Sequence, residues 1–181
     1  STYPGDTLNM ENGFGSSAPD GPPDSTLGLT PKQKQALVDS WAVVCQNKKQ
    51  NGVDLFIAFF KAYPDYQNKF ELFRGVPLEE LRTTAKLRAH AASVMFSISS
   101  IVNSLEDPEC LVELIKKTAN NHYNRTIRPV HFEHLKGVIL DVFASKLGDS
   151  FDDLTRGAWD ATLTLMNKVV ADTMAQRDQQ S

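Results

Sequence analysis

The chain of 181 residues has no apolar run long enough to cross a membrane, since its best candidate, residues 53–60, is interrupted by Asp54. It also has no Gly-rich phosphate loop, no Ser/His/Asp order typical of hydrolases and no zinc-type spacing of Cys and His. The net charge is only -3, so no strong attraction to nucleic acid or to an anionic membrane is expected. We therefore predict no nucleic-acid partner and no membrane partner.

Cysteine is scarce, because the chain contains only Cys45 and Cys110, which are far apart in sequence and form no CxxC pair. Two free, buried thiols in a reducing compartment are the favoured interpretation, and they predict a cytoplasmic location. A disulfide between them stays open, because the sequence gives no distance between the two Cα atoms. Secretion also stays open, since a leader could have been removed before Ser1.

The composition changes near residue 29. Residues 1–28 contain five Gly, four Pro, four acidic residues and no Lys or Arg. Such a segment cannot bury enough apolar surface to order itself, so we predict a disordered N-terminal extension over residues 1–28. Residues 29–177 are expected to form one folded domain, followed by a flexible C-terminus at residues 178–181.

The folded part shows helical periodicity and no convincing strand alternation. Thr30 and Gln33 have the spacing of a capping box at a helix start. Asp107 before Pro108 marks a second start, and Pro129 marks a third. The pattern predicts about seven helices with short connections around one core, which is an all-α fold.

Two histidines, His90 and His122, lie on the apolar stripes of separate predicted helices. An imidazole is costly to bury unless a partner takes its ring nitrogens. Each could be an ordinary core histidine with its own partner, but a shared metal centre accounts for both at once. His131 and His134, near the start of another helix, are expected to be exposed.

Taken together, these residues resemble the globin family over roughly residues 29–177. The resemblance includes Trp41 in the first helix, and His122 ten residues before Phe132. Residues 135–141 are similar to arthropod-type and related invertebrate globins. The other matching segments are Asn51–Phe56, Tyr63–Pro64, Lys69–Phe73 and Ala89–Val94.

The resemblance implies the globin fold, a three-over-three helical sandwich around haem b (iron protoporphyrin IX). It implies that His122 ligates the iron and that His90 faces the opposite, distal side. There His90 would donate a hydrogen bond to bound dioxygen, or would itself become a sixth ligand. The other residues that it assigns to the cofactor pocket are Phe56, Phe70, Phe73, Val94 and Ile127.

The chain departs from the family pattern at Ser93, where a Lys or Arg often binds a haem propionate. Arg88, Arg125 and Arg128 are candidate replacements. Phe56 offers no polar group, which leaves His90 as the obvious donor to a bound gas. This feature and the likeness to invertebrate globins favour a six-coordinate iron over a five-coordinate one.

The function that the resemblance implies is reversible binding of dioxygen, CO and NO at ferrous iron, for oxygen storage, transport or scavenging. A redox enzyme is a second possibility, acting as a nitric oxide dioxygenase, a nitrite reductase or a peroxidase-like protein. A dedicated enzyme would need a reductase partner, because the chain has no flavin or nicotinamide domain. The third is a gas or redox sensor in which residues 1–28 or the two cysteines respond. The oligomeric state stays open.

Overall fold

A computed structural model of the chain describes residues 13–181, and within them it contains helices and no β-strand. None of the helices in this range has the length and the hydropathy needed to cross a membrane. A short 3₁₀ turn, Gly148–Ser150, separates the last two α-helices. The α-helices are α1 (Pro31–Cys45), α2 (Lys48–Ala62), α3 (Pro64–Gln67), α4 (Leu78–Leu81), α5 (Ala85–Val102), α6 (Pro108–Tyr123), α7 (Pro129–Leu147) and α8 (Asp153–Gln179).

The helix starts that the sequence predicts are confirmed. The Thr30 side chain accepts a hydrogen bond from the Gln33 amide (3.1 Å), and the Gln33 side chain accepts one from the Thr30 amide (3.0 Å). The Asp107 carboxylate caps α6 in a similar way, and α7 begins at Pro129. At the other end of α7 the chain turns at Gly148, whose φ of 58° favours glycine.

The helices form the predicted three-over-three sandwich, with α1, α5 and α6 in one layer and α2, α7 and α8 in the other. The close crossing of α2 and α5 depends on Gly52. A Cβ atom at this position would lie 2.9 Å from Cγ of Met95 and 3.1 Å from Cβ of Ala91. The missing side chain thus lets the two helices approach each other, and it brings α2 against the face of α5 that carries His90.

Two tryptophans hold the layers together at the centre of the core. The rings of Trp41 and Trp159 lie 5.9 Å apart, and both pack against Phe143. Each indole N–H has a hydrogen-bond acceptor: Trp159 donates to Ser40 Oγ (2.9 Å), and Trp41 donates to Ser99 Oγ (3.0 Å). Because the polar atoms are satisfied, both rings are buried without an unpaired donor.

The N-terminal boundary differs from the prediction. Residues 13–28 pack against the helices, with Phe14 only 7% exposed and Leu27 9% exposed. The Gly15 amide donates to the Asp39 carboxylate (2.9 Å), and Asp24 pairs with Lys34 (3.2 Å). Composition alone missed these contacts, because a few apolar side chains suffice to dock a short segment on an existing core. The rest of the predicted disordered extension, residues 1–12, lies outside the described residues.

The C-terminal boundary also differs, because α8 continues to Gln179. The Tyr123 hydroxyl, at the end of α6, donates to the Asp178 carboxylate (2.6 Å). The Tyr123 ring lies between two guanidinium groups, those of Arg128 (4.4 Å to the ring centroid) and Arg177 (4.6 Å). These cation–π contacts tie the end of α8 to the end of α6, so Asp178 belongs to the folded part and not to a flexible end.

Candidate functional site

An apolar cavity lies between α2, α5, α6 and the first turns of α7. The open space, counted together with the solvent at its mouth, measures about 490 Å³. Its walls come mainly from aromatic and aliphatic side chains, with imidazoles on two sides. The cavity is therefore suited to a largely apolar group that interacts with nitrogen ligands.

Six of the seven residues that the sequence assigns to the cofactor pocket line this cavity. They are Phe56, Phe70, His90, Val94, His122 and Ile127. Phe73 is the exception, because its side chain lies behind the wall and is 3% exposed. Its ring packs 5.5 Å from the Phe70 ring and 5.8 Å from the His90 ring. Phe73 thus supports the wall and does not reach the cavity.

Six further side chains line the cavity that the sequence did not assign to the cofactor pocket. They are Phe59, Tyr66, Lys69, His131, Phe132 and Leu135. The helical stripes of α2 and α7 could have indicated Phe59, Phe132 and Leu135. His131 was expected to be exposed, yet it is half-buried, because its ring packs edge-on against the Tyr66 ring (4.6 Å). His134 is half-buried as well.

His122 lies in the last turn of α6 and has one ring nitrogen already bonded. Its Nδ1–H donates to the Thr118 carbonyl one turn earlier (2.8 Å). Burial lowers the pKa of His122, the bond to Thr118 opposes this shift, and the positive charge of Arg125 adds to it. In the neutral ring that results, Nε2 carries a free lone pair. An imidazole held in this tautomer is the form that binds a metal.

His90 is held by packing and not by hydrogen bonds. Its ring lies 4.6 Å from the Phe56 ring and 5.1 Å from the Phe70 ring, both in edge-to-face contact. Burial lowers the pKa of His90 to about 4, with smaller effects from His122 and Arg125. Among residues 13–181, neither nitrogen of His90 has a hydrogen-bond partner. The neutral ring can therefore donate from one nitrogen or use the lone pair of the other.

The donor set of the cavity is too small for a bare metal ion. In the part of the chain that the structure describes, no group of three or more His, Cys, Asp or Glu residues could hold a metal. A protein-bound transition metal usually has four or more ligands. Two imidazoles in an apolar cavity instead fit a metal whose remaining ligands come from an organic cofactor, so the residues present fit a metalloporphyrin.

The three arginines proposed to replace Ser93 do not line the cavity. Arg88 is exposed and donates to the Thr83 carbonyl (2.8 Å), while Arg128 donates to the Tyr123 carbonyl (3.0 Å). Arg125 acts on the cavity only through its charge. The cation that does line the cavity is Lys69, beside His131.

Comparisons with known proteins agree with this geometry. The family model described as Globin matches residues 53–170. A globin of Nerita albicilla is 31% identical over 147 residues, which cover 81% of this chain and 94% of that protein. A solved structure is also similar to this chain, "Cyanide Binding and Heme Cavity Conformational Transitions in Drosophila melanogaster Hexa-coordinate Hemoglobin". It has a TM-score of 0.71 and 29% identity, and the match covers 76% of this chain and 90% of that one.

A second solved structure is similar in fold alone. It is a hexacoordinated heme protein from an anhydrobiotic tardigrade, with a TM-score of 0.78 and 17% identity, covering 84% of this chain and 99% of that one. The family model spans more than half of the chain, and its match includes every residue that lines the cavity, from Phe56 to Leu135. The chain belongs to the globin family.

Proposed function

We propose that this globin holds haem b in the cavity and reversibly binds dioxygen, CO and NO there. The observation that carries the proposal is the state of His122: its Nδ1–H is bonded to Thr118, which leaves the Nε2 lone pair free in a cavity wall. When bound, the haem iron supplies the coordination position at which a diatomic gas binds. The remaining chemistry belongs to the side chains around it.

Each part of the cavity has its own task. His122 holds the iron through Nε2, and Phe56, Phe70 and Val94 keep water out of the space around it. In such a dry site, a hydrogen bond from His90 to a ligand with partial negative charge is stronger than it would be in water. Lys69 and His131, two polar side chains of the lining, would bind the two carboxylates of the porphyrin.

We also propose that, in the absence of a gas, His90 would be a second protein ligand of the iron. No hydrogen bond to residues 13–181 holds its ring away from the cavity, and its depressed pKa keeps a lone pair available. The similar Drosophila protein is described as a hexa-coordinate haemoglobin. An external gas must then displace His90, which lowers the apparent affinity by the fraction of molecules whose site is open.

Absorption spectra of the purified protein test both proposals. The ferric and ferrous forms should be recorded with and without CO. Sharp, split visible bands of low-spin ferrous haem are expected if His90 is bound, and a broad high-spin spectrum would contradict the six-coordinate state. If no haem is retained after reconstitution, the entire proposal fails.

The His122→Gly variant tests the ligand assignment. We expect it to lose haem much faster than the parent protein, because the other proposed ligand, His90, is held by packing alone and not by a hydrogen bond. Added free imidazole should restore binding, which separates loss of the ligand from loss of the fold. Retention of haem as tight as in the parent would show that His122 is not the ligand; haem transfer to an apo-globin acceptor measures the rate.

A further inference from the structure

Beside the cavity lies a cluster of four rings, Tyr63, Tyr66, His131 and His134, of which the proposed function uses only His131. The Tyr66 hydroxyl and Nδ1 of His134 are 2.5 Å apart, a hydrogen bond between α3 and α7. The Tyr63 ring stacks on the His134 ring with centroids 4.4 Å apart, and on the Tyr66 ring at 5.2 Å. The His131 ring meets the Tyr66 ring edge-on at 4.6 Å.

The cluster extends from the cavity wall toward the outside of the protein. Tyr66 lines the cavity, whereas Tyr63 and His134 lie behind it and are only half-buried. His131 also lines the cavity, so Tyr66 is the phenol of the cluster that lies next to whatever the cavity holds, and Tyr63 is stacked on its outer side. An electron could move between these rings without either residue leaving its place.

A hydrogen-bonded imidazole makes a phenol easier to oxidise. Removing one electron from a tyrosine that keeps its proton leaves a highly acidic radical cation, which is costly in a half-buried site. A base in contact with the hydroxyl takes the proton as the electron leaves. The neutral His134 ring with its own proton on Nε2 is such a base, since Nδ1 then accepts from Tyr66.

We propose that Tyr66 and His134 form a redox-active pair. One electron leaves the Tyr66 ring for a one-electron oxidant, the phenolic O–H bond breaks, and its proton passes to Nδ1 of His134. The products are a neutral tyrosyl radical and an imidazolium. A one-electron reductant such as ascorbate reverses the step: it returns the electron to Tyr66 as the proton returns from His134.

The oxidant class is peroxide. Hydrogen peroxide takes up two electrons and two protons to give two waters, which corresponds to two such one-electron steps with reduction of the pair in between. The two protons are those that ascorbate releases as it is oxidised. Each step thus moves an oxidising equivalent from the cavity to Tyr66 and on toward Tyr63. It moves away from the aromatic side chains of the cavity wall. Only this use of peroxide rests on the proposed haem function; the redox property of the pair depends on its own contacts.

Tyr123 is a matched control within the same chain. Its hydroxyl also has an acceptor, the Asp178 carboxylate, but its ring lies between the guanidinium groups of Arg128 and Arg177. Two adjacent positive charges oppose the removal of an electron. Tyr123 also does not line the cavity.

The experiment measures tyrosyl radical by freeze-quench electron paramagnetic resonance on the purified, reconstituted chain. The chain has four tyrosines, so every variant is made in a Tyr3→Phe background. The protein is treated either with photogenerated tris(bipyridyl)ruthenium(III), which needs no haem, or with hydrogen peroxide. Tyr66→Phe, His134→Gln and Tyr123→Phe are compared, with helical content checked by circular dichroism.

We expect a radical with both oxidants in the background protein, loss of most of it in Tyr66→Phe, and no loss in Tyr123→Phe. His134→Gln keeps a hydrogen-bond acceptor but no base, so radical formation should slow by about 10²-fold. An undiminished radical in Tyr66→Phe, an unchanged rate in His134→Gln, or no radical with either oxidant would overturn the pair. A radical with ruthenium but none with peroxide supports the pair and overturns its use of peroxide.

Discussion

The two imidazoles of the cavity differ in how their surroundings hold them. His122 is fixed by the hydrogen bond from its Nδ1–H to Thr118, whereas His90 is surrounded by the Phe56 and Phe70 rings and has no such bond among the described residues. Burial keeps both neutral by lowering their pKa values. A fixed ring suits a permanent ligand, and a ring held by packing alone suits one that binds or releases the iron.

The difference leads to a prediction for His90→Ala. The variant should keep haem, since His122 is intact, but should release dioxygen faster by about 10- to 100-fold. This range corresponds to the loss of one charge-assisted hydrogen bond of about 1.5–3 kcal/mol. Stopped-flow displacement of dioxygen by CO gives the rate. Ser93→Ala, on the exposed face of the same helix, should leave it unchanged, and an equal rate in His90→Ala and parent would exclude His90 as the donor.

Among the helices, the crossing of α2 and α5 determines how Phe56 and His90 meet. Gly52 permits that crossing, because any larger residue would press on Met95 and Ala91 of α5. The backbones of α2 and α5 approach closely because Gly52 has no side chain, and not because of the conformational freedom of glycine. It makes the geometry of the cavity sensitive to one position outside it.

We therefore expect Gly52→Ala to destabilise the protein by about 1–3 kcal/mol, although alanine favours a helix more than glycine does. Gly137→Ala is the matched control in α7, where an added Cβ meets nothing within 4 Å. That variant should gain about 0.5–1 kcal/mol from helix propensity alone. Urea unfolding followed by circular dichroism measures both, and a stabilised Gly52→Ala would mean that α5 can move away without cost.

Asp54, in α2, connects this helix with α4 and α7 through hydrogen bonds. It accepts hydrogen bonds from Arg82 (2.6 Å), at the end of α4, and from Lys146 in α7. Burial by itself would raise the pKa of Asp54, but the bonds from Lys146, Arg82 and Gln50 outweigh it, so the pKa lies below its usual value. A carboxyl group with a lowered pKa in the folded state stabilises that state above its unfolded pKa, near 3.9 for aspartate.

The prediction is a pH-dependent effect of Asp54→Asn. At pH 7 the variant should be less stable than the parent by about 1–2 kcal/mol, a modest value because both cationic partners are partly exposed. The difference should persist down to about pH 4 and shrink as the pH falls through the lowered pKa of the folded state. Urea unfolding between pH 7 and pH 3 measures it. Asp172→Asn removes a more exposed ion pair with Lys168 and should change little at any pH.

For the whole molecule, residues 13–28 act as a packed extension of the core and not as a free tail. Phe14 is buried, and the segment is held to α1 by Gly15 and by the ion pair of Asp24 with Lys34. None of its residues lines the cavity. The segment should therefore contribute to stability without changing how the cavity binds a gas.

The Phe14→Ala variant tests whether residues 13–28 contribute to stability without changing gas binding. We expect a loss of about 2–3 kcal/mol, below the usual cost of a buried Phe because a terminal segment can open locally. Val38→Ala, at a side chain that is 43% exposed, should cost much less. Thermal unfolding gives the comparison, and CO affinity of the haem-loaded variant should equal that of the parent. A changed affinity would favour the sensor alternative instead.

Several features follow from the sequence because their causes are local. The capping box at Thr30 involves residues three positions apart, and His90 and His122 lie on stripes that repeat at every helical turn. Such patterns predict helix starts and inward-facing side chains without knowledge of the partner helix. The same reasoning fails at the corner of residues 68–77, which has no regular period. It could not distinguish Phe70, in the cavity wall, from Phe73 behind it.

The sequence by itself determined the all-helical fold, its helix starts and the two histidines directed inward, since each depends on neighbours within a turn or two. Only the tertiary structure decided that residues 13–28 dock, that Lys69 and not an arginine reaches the cavity, and that Tyr66 meets His134. These contacts join distant segments, 68 residues apart in the last case. Their existence depends on how whole helices cross, which no local pattern of residues encodes.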